Sequence, residues 1–136
     1  MSWAICQQAM DLHMSSLAGL DLTLVAWINA VFPAPGVVLD NKVHYRIAFL
    51  PADSWAPYGT GTTRRFKGLY QVSVFAPIGK GSGVLTAAVD AVCAHFDRLN
   101  LTRGGITLST EVPVPGPSLI DGQWVYIPIT IPFYTR

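Results

Sequence analysis

Charge is scarce in this sequence, and its two signs are balanced. Only 12% of the 136 residues are charged, with nine Lys and Arg against eight Asp and Glu, which leaves a formal net charge of +1. Such a balance excludes a generally basic nucleic-acid coat and an acidic solubilising tail. Hydrophobic residues make up 51% of the chain instead. Because a chain this apolar has ample surface to bury, disorder is excluded as well.

Long hydrophobic runs are also missing. The most apolar stretch, residues 20–32, contains Asp21 and Asn29. It is shorter than the ~18 residues that a membrane-spanning helix needs. The N-terminal sequence has no basic residue ahead of an apolar run, so it does not resemble a secretory signal. We therefore expect no membrane among the partners of this protein.

Motifs for catalytic or metal chemistry are absent from the sequence. Cys6 and Cys93 lie far apart on predicted helices, without a CxxC motif, and we expect buried thiols in a reducing cytoplasm, with a disulfide left open. His13, His44 and His95 lack the spacing of metal ligands. The acidic residues are scattered, and no GxSxG nucleophile elbow occurs. The sequence therefore predicts no catalytic residue, no metal site and no cofactor.

One glycine-rich turn is a candidate phosphate site. Residues 79–83 (GKGSG) precede a predicted helix, and helix N-termini bind anions. The Walker spacing fails, because Lys80 is followed by Gly81 and the position five residues before Gly79 is Val74 and not glycine. We interpret the segment as a flexible turn. A small-molecule-binding domain or enzyme with a site near Gly79 to Val84 remains an alternative.

Hydrophobic periodicity predicts a single α+β domain over residues 1–136. A first helix begins after an N-cap at Ser2 and ends near Gly19, with an apolar stripe of Ile5, Ala9, Leu12, Ser16 and Leu20. A second helix covers 84–99, with an apolar stripe of Leu85, Ala88, Val89, Val92, Phe96 and Leu99. Strands are predicted at 22–27, 43–50, 68–76, 106–112 and 123–134. This order indicates an antiparallel or mixed sheet of about five strands packed with two helices.

The last predicted strand contains two prolines. Pro128 and Pro132 are four positions apart, so both lack backbone donors on the same side of the strand. This pattern predicts an edge strand or a strand that bends away from its neighbour. An edge strand in an oligomeric subunit is a natural place for subunit contacts. The candidate interface residues on this edge are Pro128, Thr130, Pro132 and Tyr134.

Basic residues cluster in one part of the chain. No acidic residue occurs between Asp53 and Asp90, a stretch that contains Arg64, Arg65, Lys67 and Lys80. A solvated loop is the simplest interpretation. The functional alternative is a contact with an acidic partner ring, or with DNA that passes through a lumen and is neutralised without base readout.

The excess of apolar residues favours self-association. A monomer of 14.7 kDa exposes roughly 6,900 Å². Two neighbours in a ring, each covering ~800 Å², would hide nearly a quarter of that surface. We therefore expect a homo-oligomer, with a compact monomer around an apolar core as the alternative.

Several short motifs together resemble a family of tail-terminator-like proteins from long-tailed bacteriophages. They span nearly the whole chain: Ala26-Trp27-Ile28-Asn29 with Phe32-Pro33 and Gly36, Leu50-Pro51, Gly68 to Val74, Pro77 to Gly81 before an Ala-rich helix with Phe96, and Pro128 to Phe133. The resemblance implies an α+β subunit that forms a ring, commonly a hexamer, on the head-proximal end of the tail tube. Such a ring stops tube polymerisation and presents a surface to the head–tail connector.

The resemblance also implies partners and a location. The expected partners are copies of the chain itself, the tail tube protein, the head–tail connector or neck protein, and genomic DNA passing through the lumen without sequence readout. The expected location is the virion tail, with assembly in the host cytoplasm, and neither catalysis nor a cofactor is expected. The main alternative is a neck or head-completion protein, which differs in its attachment partner.

Overall fold

The structure is a computed structural model that describes residues 3–28, 30, 32–33, 42–52, 66–79 and 83–135. Its two helices are α1 (Trp3–Ser15) and α2 (Gly83–His95), and a short 3-10 turn covers Leu22–Leu24. Its strands are β1 (Val25–Ala26), β2 (His44–Pro51), β3 (Lys67–Pro77), β4 (Asn100–Arg103), β5 (Ile106–Thr110), β6 (Val114–Pro115), β7 (Leu119–Asp121) and β8 (Trp124–Thr135).

All eight strands join one mixed sheet in the order β1-β2-β3-β8-β5-β4, while β6 and β7 also pair with β8. Only the β1–β2 pair is parallel among the described strands. The predicted α+β class with two helices is confirmed, and the predicted number of about five strands is too low. The additional strands are β4, β6 and β7, which are four, two and three residues long. Segments this short carry almost no alternation from which a strand is predicted.

The predicted edge position of the last strand is wrong. β8 lies inside the sheet, paired with β3 over eleven residue pairs on one side and with β5, β6 and β7 on the other. The carbonyl of Pro128 accepts from the Gly116 N–H at 2.7 Å, and that of Pro132 accepts from the Glu111 N–H at 2.9 Å. The two prolines therefore lack N–H groups on the side of β8 that pairs with β5, β6 and β7. A strand with prolines on one side can still have neighbours there, because the neighbours bond to the proline carbonyls and to the residues between the prolines.

Both helices pack on the same face of the sheet, which we call the inner face. Tyr70, Val72, Val74, Ile129 and Ile131 of β3 and β8 are fully buried there, together with Met10 of α1 and Val92 of α2. The inward residues alternate along β3 and β8, as expected for strands with one buried face. This face contains the hydrophobic core of the protein.

The buried side of α1 differs from the predicted stripe. Cys6, Met10 and Met14 are at most 1% exposed, whereas Leu12 is 53% exposed. Residues 6, 10 and 14 recur every four positions, a spacing that is as helical as the predicted one. Helix α1 ends at Ser15, four residues before Gly19, and the proposed N-cap Ser2 lies outside the described residues.

Helix α2 is shorter than predicted because Thr110 of β5 binds the chain that follows it. The Thr110 hydroxyl donates to the Phe96 carbonyl at 2.9 Å and accepts from the Leu99 N–H at 2.8 Å. The chain then enters β4 and turns through Gly104 and Gly105, which have φ values of 59° and 79°. The predicted glycine turn before β5 is confirmed. The predicted strand at 22–27 is reduced to the 3-10 turn and β1.

Candidate assembly surface

The second face of the sheet, which we call the outer face, carries no helix among the described residues. Side chains alternate along a strand, so the residues between the inward positions of β8 point to this face. They include Pro128, Thr130, Pro132 and Tyr134, the four residues predicted from the proline pattern. The structure therefore brings these four residues together on an open face of the sheet and not along its edge.

An exposed apolar row crosses the outer face. Leu50 of β2 pairs with Leu69 of β3, which pairs with Pro132 of β8. The two leucines are 45% and 37% exposed. Tyr134 and Val114 flank this row and are 36% and 57% exposed. Large apolar side chains in adjacent register form a continuous apolar patch, which is the usual mark of an interaction surface.

Two grooves border the same row. One, of about 520 Å³, lies beside Leu69, Pro132 and Tyr134 and reaches Lys67. The other, of about 550 Å³, lies between Pro132, Tyr134 and Val114 and reaches Glu111. Both grooves are open to solvent, so a protruding side chain of another protein can fit into them.

The opposite end of the outer face is filled by aromatic rings. The His44 ring stacks on Phe75 with centroids 4.8 Å apart, and Phe75 stacks on Tyr126 at 4.7 Å. The Arg46 guanidinium lies 5.0 Å from the Phe75 ring centroid, a cation–π contact. Burial lowers the pKa of His44, which favours the neutral ring in this cluster. This end is packed, and the apolar row at the other end is open.

A second exposed apolar region lies on the inner face, where β3 ends and β7 turns into β8. Ile78, Val84 and Ile120 are 49%, 54% and 75% exposed. Ile78 and Ile120 border a groove of about 490 Å³ whose walls include Leu85, the residue after Val84, and Val125. The sequence gives no sign of this region, because β7 is three residues long and lies in a proline-rich segment without strand alternation.

Comparison with known proteins supplies the family. The family profile described as "phage tail terminator protein" matches residues 8–133. The chain belongs to the phage tail terminator family. The predicted resemblance is therefore confirmed over nearly the whole sequence, and the chain is a phage tail structural protein by family.

A solved structure shows that this terminator-family fold occurs elsewhere. That chain superposes with a TM-score of 0.77 at 24% sequence identity, over 100% of this chain and 96% of its own length. At this identity the likeness establishes the fold alone. No curated protein sequence matches the chain.

The basic candidates of this terminator-family chain are only partly described. Arg64, Arg65 and Lys80 lie outside the described residues. Lys67 begins β3, is exposed and pairs with Tyr134, so it borders the apolar row of the outer face. Their shared role in a ring, tube or DNA contact stays a prediction.

The histidines and cysteines of this family member pack against other side chains of the fold. His13 and His95 stack on each other with ring centroids 4.0 Å apart, near the C-terminal ends of the two helices. In the described part of the chain no cluster of three His, Cys, Asp or Glu residues is arranged to hold a metal. Cys6 and Cys93 are free thiols, and burial raises the pKa of both. None of the described helices combines the length and apolarity that crossing a membrane requires.

Proposed function

We propose that the protein is a tail terminator that assembles as a ring, commonly of six copies, on the head-proximal end of the phage tail tube. The ring stops polymerisation of the tube and offers its other side to the head–tail connector. The observation that carries this proposal is the family match over residues 8–133. The protein acts by binding, as a structural component of the virion, without catalysis and without a cofactor.

The open outer face supports self-association. A rotationally symmetric ring needs two different, complementary surfaces on each subunit. The described residues supply two exposed apolar regions, one around Leu69 and Pro132 and one around Ile120. Solvent exposure of both regions is unfavourable in a free monomer, and burial between copies removes it.

The basic cluster supports a contact along the axis of the ring. Arg64, Arg65 and Lys67 lie in or at the end of the connection between β2 and β3. Positive side chains there attract an acidic surface of the tube or the phosphates of DNA in the lumen, without reading sequence. Assembly takes place in the host cytoplasm, and the ring remains in the virion tail.

A charge-reversal experiment tests the capping role. Tube subunits are polymerised with the wild-type protein or with a triple variant, R64E/R65E/K67E, and tube lengths are measured by electron microscopy. The wild type should yield capped tubes of limited length, and the variant should leave tubes that keep growing while its circular dichroism spectrum is unchanged. The control is K42E/R103E, which reverses the charge of two other exposed basic residues and should cap normally. Normal capping by the first variant would show that the basic cluster takes no part in the contact.

A further inference from the structure

Two exposed apolar surfaces lie far apart on each chain. We define the sheet-face patch as Leu50, Leu69, Val114, Pro132 and Tyr134, and the tip patch as Ile78, Val84 and Ile120. Leu69 and Ile78 are nine residues apart along β3 and the turn after it, which corresponds to about 30 Å. The sheet-face patch lies on the outer face. The Ile120 side chain lies on the inner face, because Ile120 pairs with the inward-pointing Val125.

The shapes of the two patches complement each other. Ile120 is 75% exposed near the tip of the β7–β8 hairpin, the largest value among the exposed large hydrophobic residues of the described chain. The sheet-face patch is concave, with grooves of about 520 and 550 Å³ on either side of Pro132 and Tyr134. The groove of about 520 Å³ has mostly apolar walls, so an exposed isoleucine and this groove are the two halves of a knob-and-pocket contact.

The open half of the outer face can form part of a contact between two proteins. β3 and β8 pair over eleven residues, which gives a length of about 37 Å, and four strands across give a width of about 19 Å. Half of this area of about 700 Å² is occupied by the aromatic cluster, so about 350 Å² is open. A stable protein interface buries ~800 Å² per partner, so the surfaces around the patch supply the rest.

We propose that the tip patch of one copy docks on the sheet-face patch of the next copy, with Ile120 inserted beside Pro132 and Tyr134. This inference rests on the proposed ring and names the surfaces that close it. A second copy is the occupant because every chain carries both halves of the contact. The two patches lie on opposite faces of the sheet, so a single two-fold contact does not cover both. A head-to-tail contact covers both, and it forms a ring when the rotation between successive copies closes.

Two single variants and their mixture test the contact. Leu69→Glu places a charge in the sheet-face patch, and Ile120→Glu places one in the tip patch. Each should weaken self-association by at least about 30-fold, because a buried interface position receives an unpaired charge. Each variant keeps one intact patch, so the mixture should form dimers and nothing larger. The matched control Leu22→Glu, at a leucine 51% exposed outside both patches, should assemble as the wild type does.

The measurement is the particle mass by sedimentation. It is made on the free protein and on protein that is cross-linked while bound to tail tubes and then released, so that tube-dependent assembly is included. Circular dichroism confirms that each variant is folded. Full-size rings from either Glu variant, or a mixture without dimers, would overturn the assignment of the patches. A wild type that assembles neither alone nor on tubes would instead remove the proposed ring itself.

A cysteine pair provides an independent readout. In a Cys93→Ser background, the double variant L69C/I120C should form a ladder of disulfide-linked multimers under oxidation. The two new thiols lie too far apart within one chain to bridge, since a disulfide needs Cα atoms within about 7 Å. Each single cysteine variant should stay unlinked. Linked dimers from a single variant would show a two-fold contact and contradict the head-to-tail arrangement.

Discussion

Two histidines connect the ends of the two helices. The His13 and His95 rings stack at 4.0 Å, and Nε2 of each lies 2.6 Å from the backbone carbonyl oxygen of the other. Carbonyls in the last turn of a helix lack the usual partner four residues on, and that of His13 accepts from the Ser16 N–H and hydroxyl as well. Each imidazole therefore caps the other helix, and this arrangement requires an N–H on Nε2 of both rings.

Burial of His13 and His44 makes stability depend on pH. Burial lowers the pKa of His13, and it also lowers that of His44 in the aromatic cluster. Because the unfolded chain binds protons more readily than the folded chain, the stabilisation is complete above the unfolded pKa of about 6.5 and is lost as pH falls through the folded values. The free energy of unfolding, measured in urea, should thus be lower at pH 5.5 than at pH 7.5. His13→Asn should reduce this difference, and an unchanged difference would contradict the account.

The buried hydroxyl of Tyr70 holds α1 on the sheet. Tyr70 is fully buried, and its hydroxyl donates to Asp11 Oδ1 at 2.5 Å. Burial raises the pKa of the Asp11 carboxyl, while the hydrogen bond from Tyr70 opposes that rise.

Tyr70→Phe should lower the free energy of unfolding by about 1–3 kcal/mol, because a half-buried carboxylate loses its donor. Asp11→Asn and the double variant complete a double-mutant cycle in urea denaturation. A coupling energy near zero between the two positions would show that the hydrogen bond contributes nothing.

Elements differ in how well the sequence predicts them, and the reason is their length. β3 and α2 contain repeated apolar periods, so the sequence predicts both together with the residues that they bury. β6 is two residues long and is flanked by Pro113 and Pro117, so neither periodicity nor propensity indicates it. Its pairing with Thr130 depends on contacts between distant parts of the chain. The same missing information led to the wrong edge position of β8.

Close strand packing at Gly68 provides a test of the central sheet. A Cβ on Gly68 would lie 2.8 Å from the Leu50 carbonyl oxygen and 3.0 Å from the Phe133 ring. Gly68→Ala should therefore lower the free energy of unfolding by about 1–3 kcal/mol, since backbone must shift. Gly83→Ala is the matched control, because a Cβ there meets nothing within 4 Å. The control should be neutral or slightly stabilising in thermal denaturation. Equal losses in both variants would contradict this packing.

At the level of the whole molecule, the edge position predicted for four residues of β8 is wrong, and their role as interface residues stays a prediction. The prolines of β8 drew attention to Pro128, Thr130, Pro132 and Tyr134 as an edge. The structure places these four residues on the open outer face of the sheet. They share this face because side chains alternate along β8, and not because their backbone groups are unpaired. The tip patch around Ile120 was missed, because its exposure arises from a hairpin that pairs with β8 through tertiary contacts.

Electron microscopy of isolated tail tubes incubated with the purified protein tests the central claim most directly. Our account predicts a closed ring of density at one end of each tube, the end that joins the head, and no further elongation of ringed tubes when tube subunits are added. Bare tube ends at saturating protein concentration, with unrestricted elongation, would contradict it.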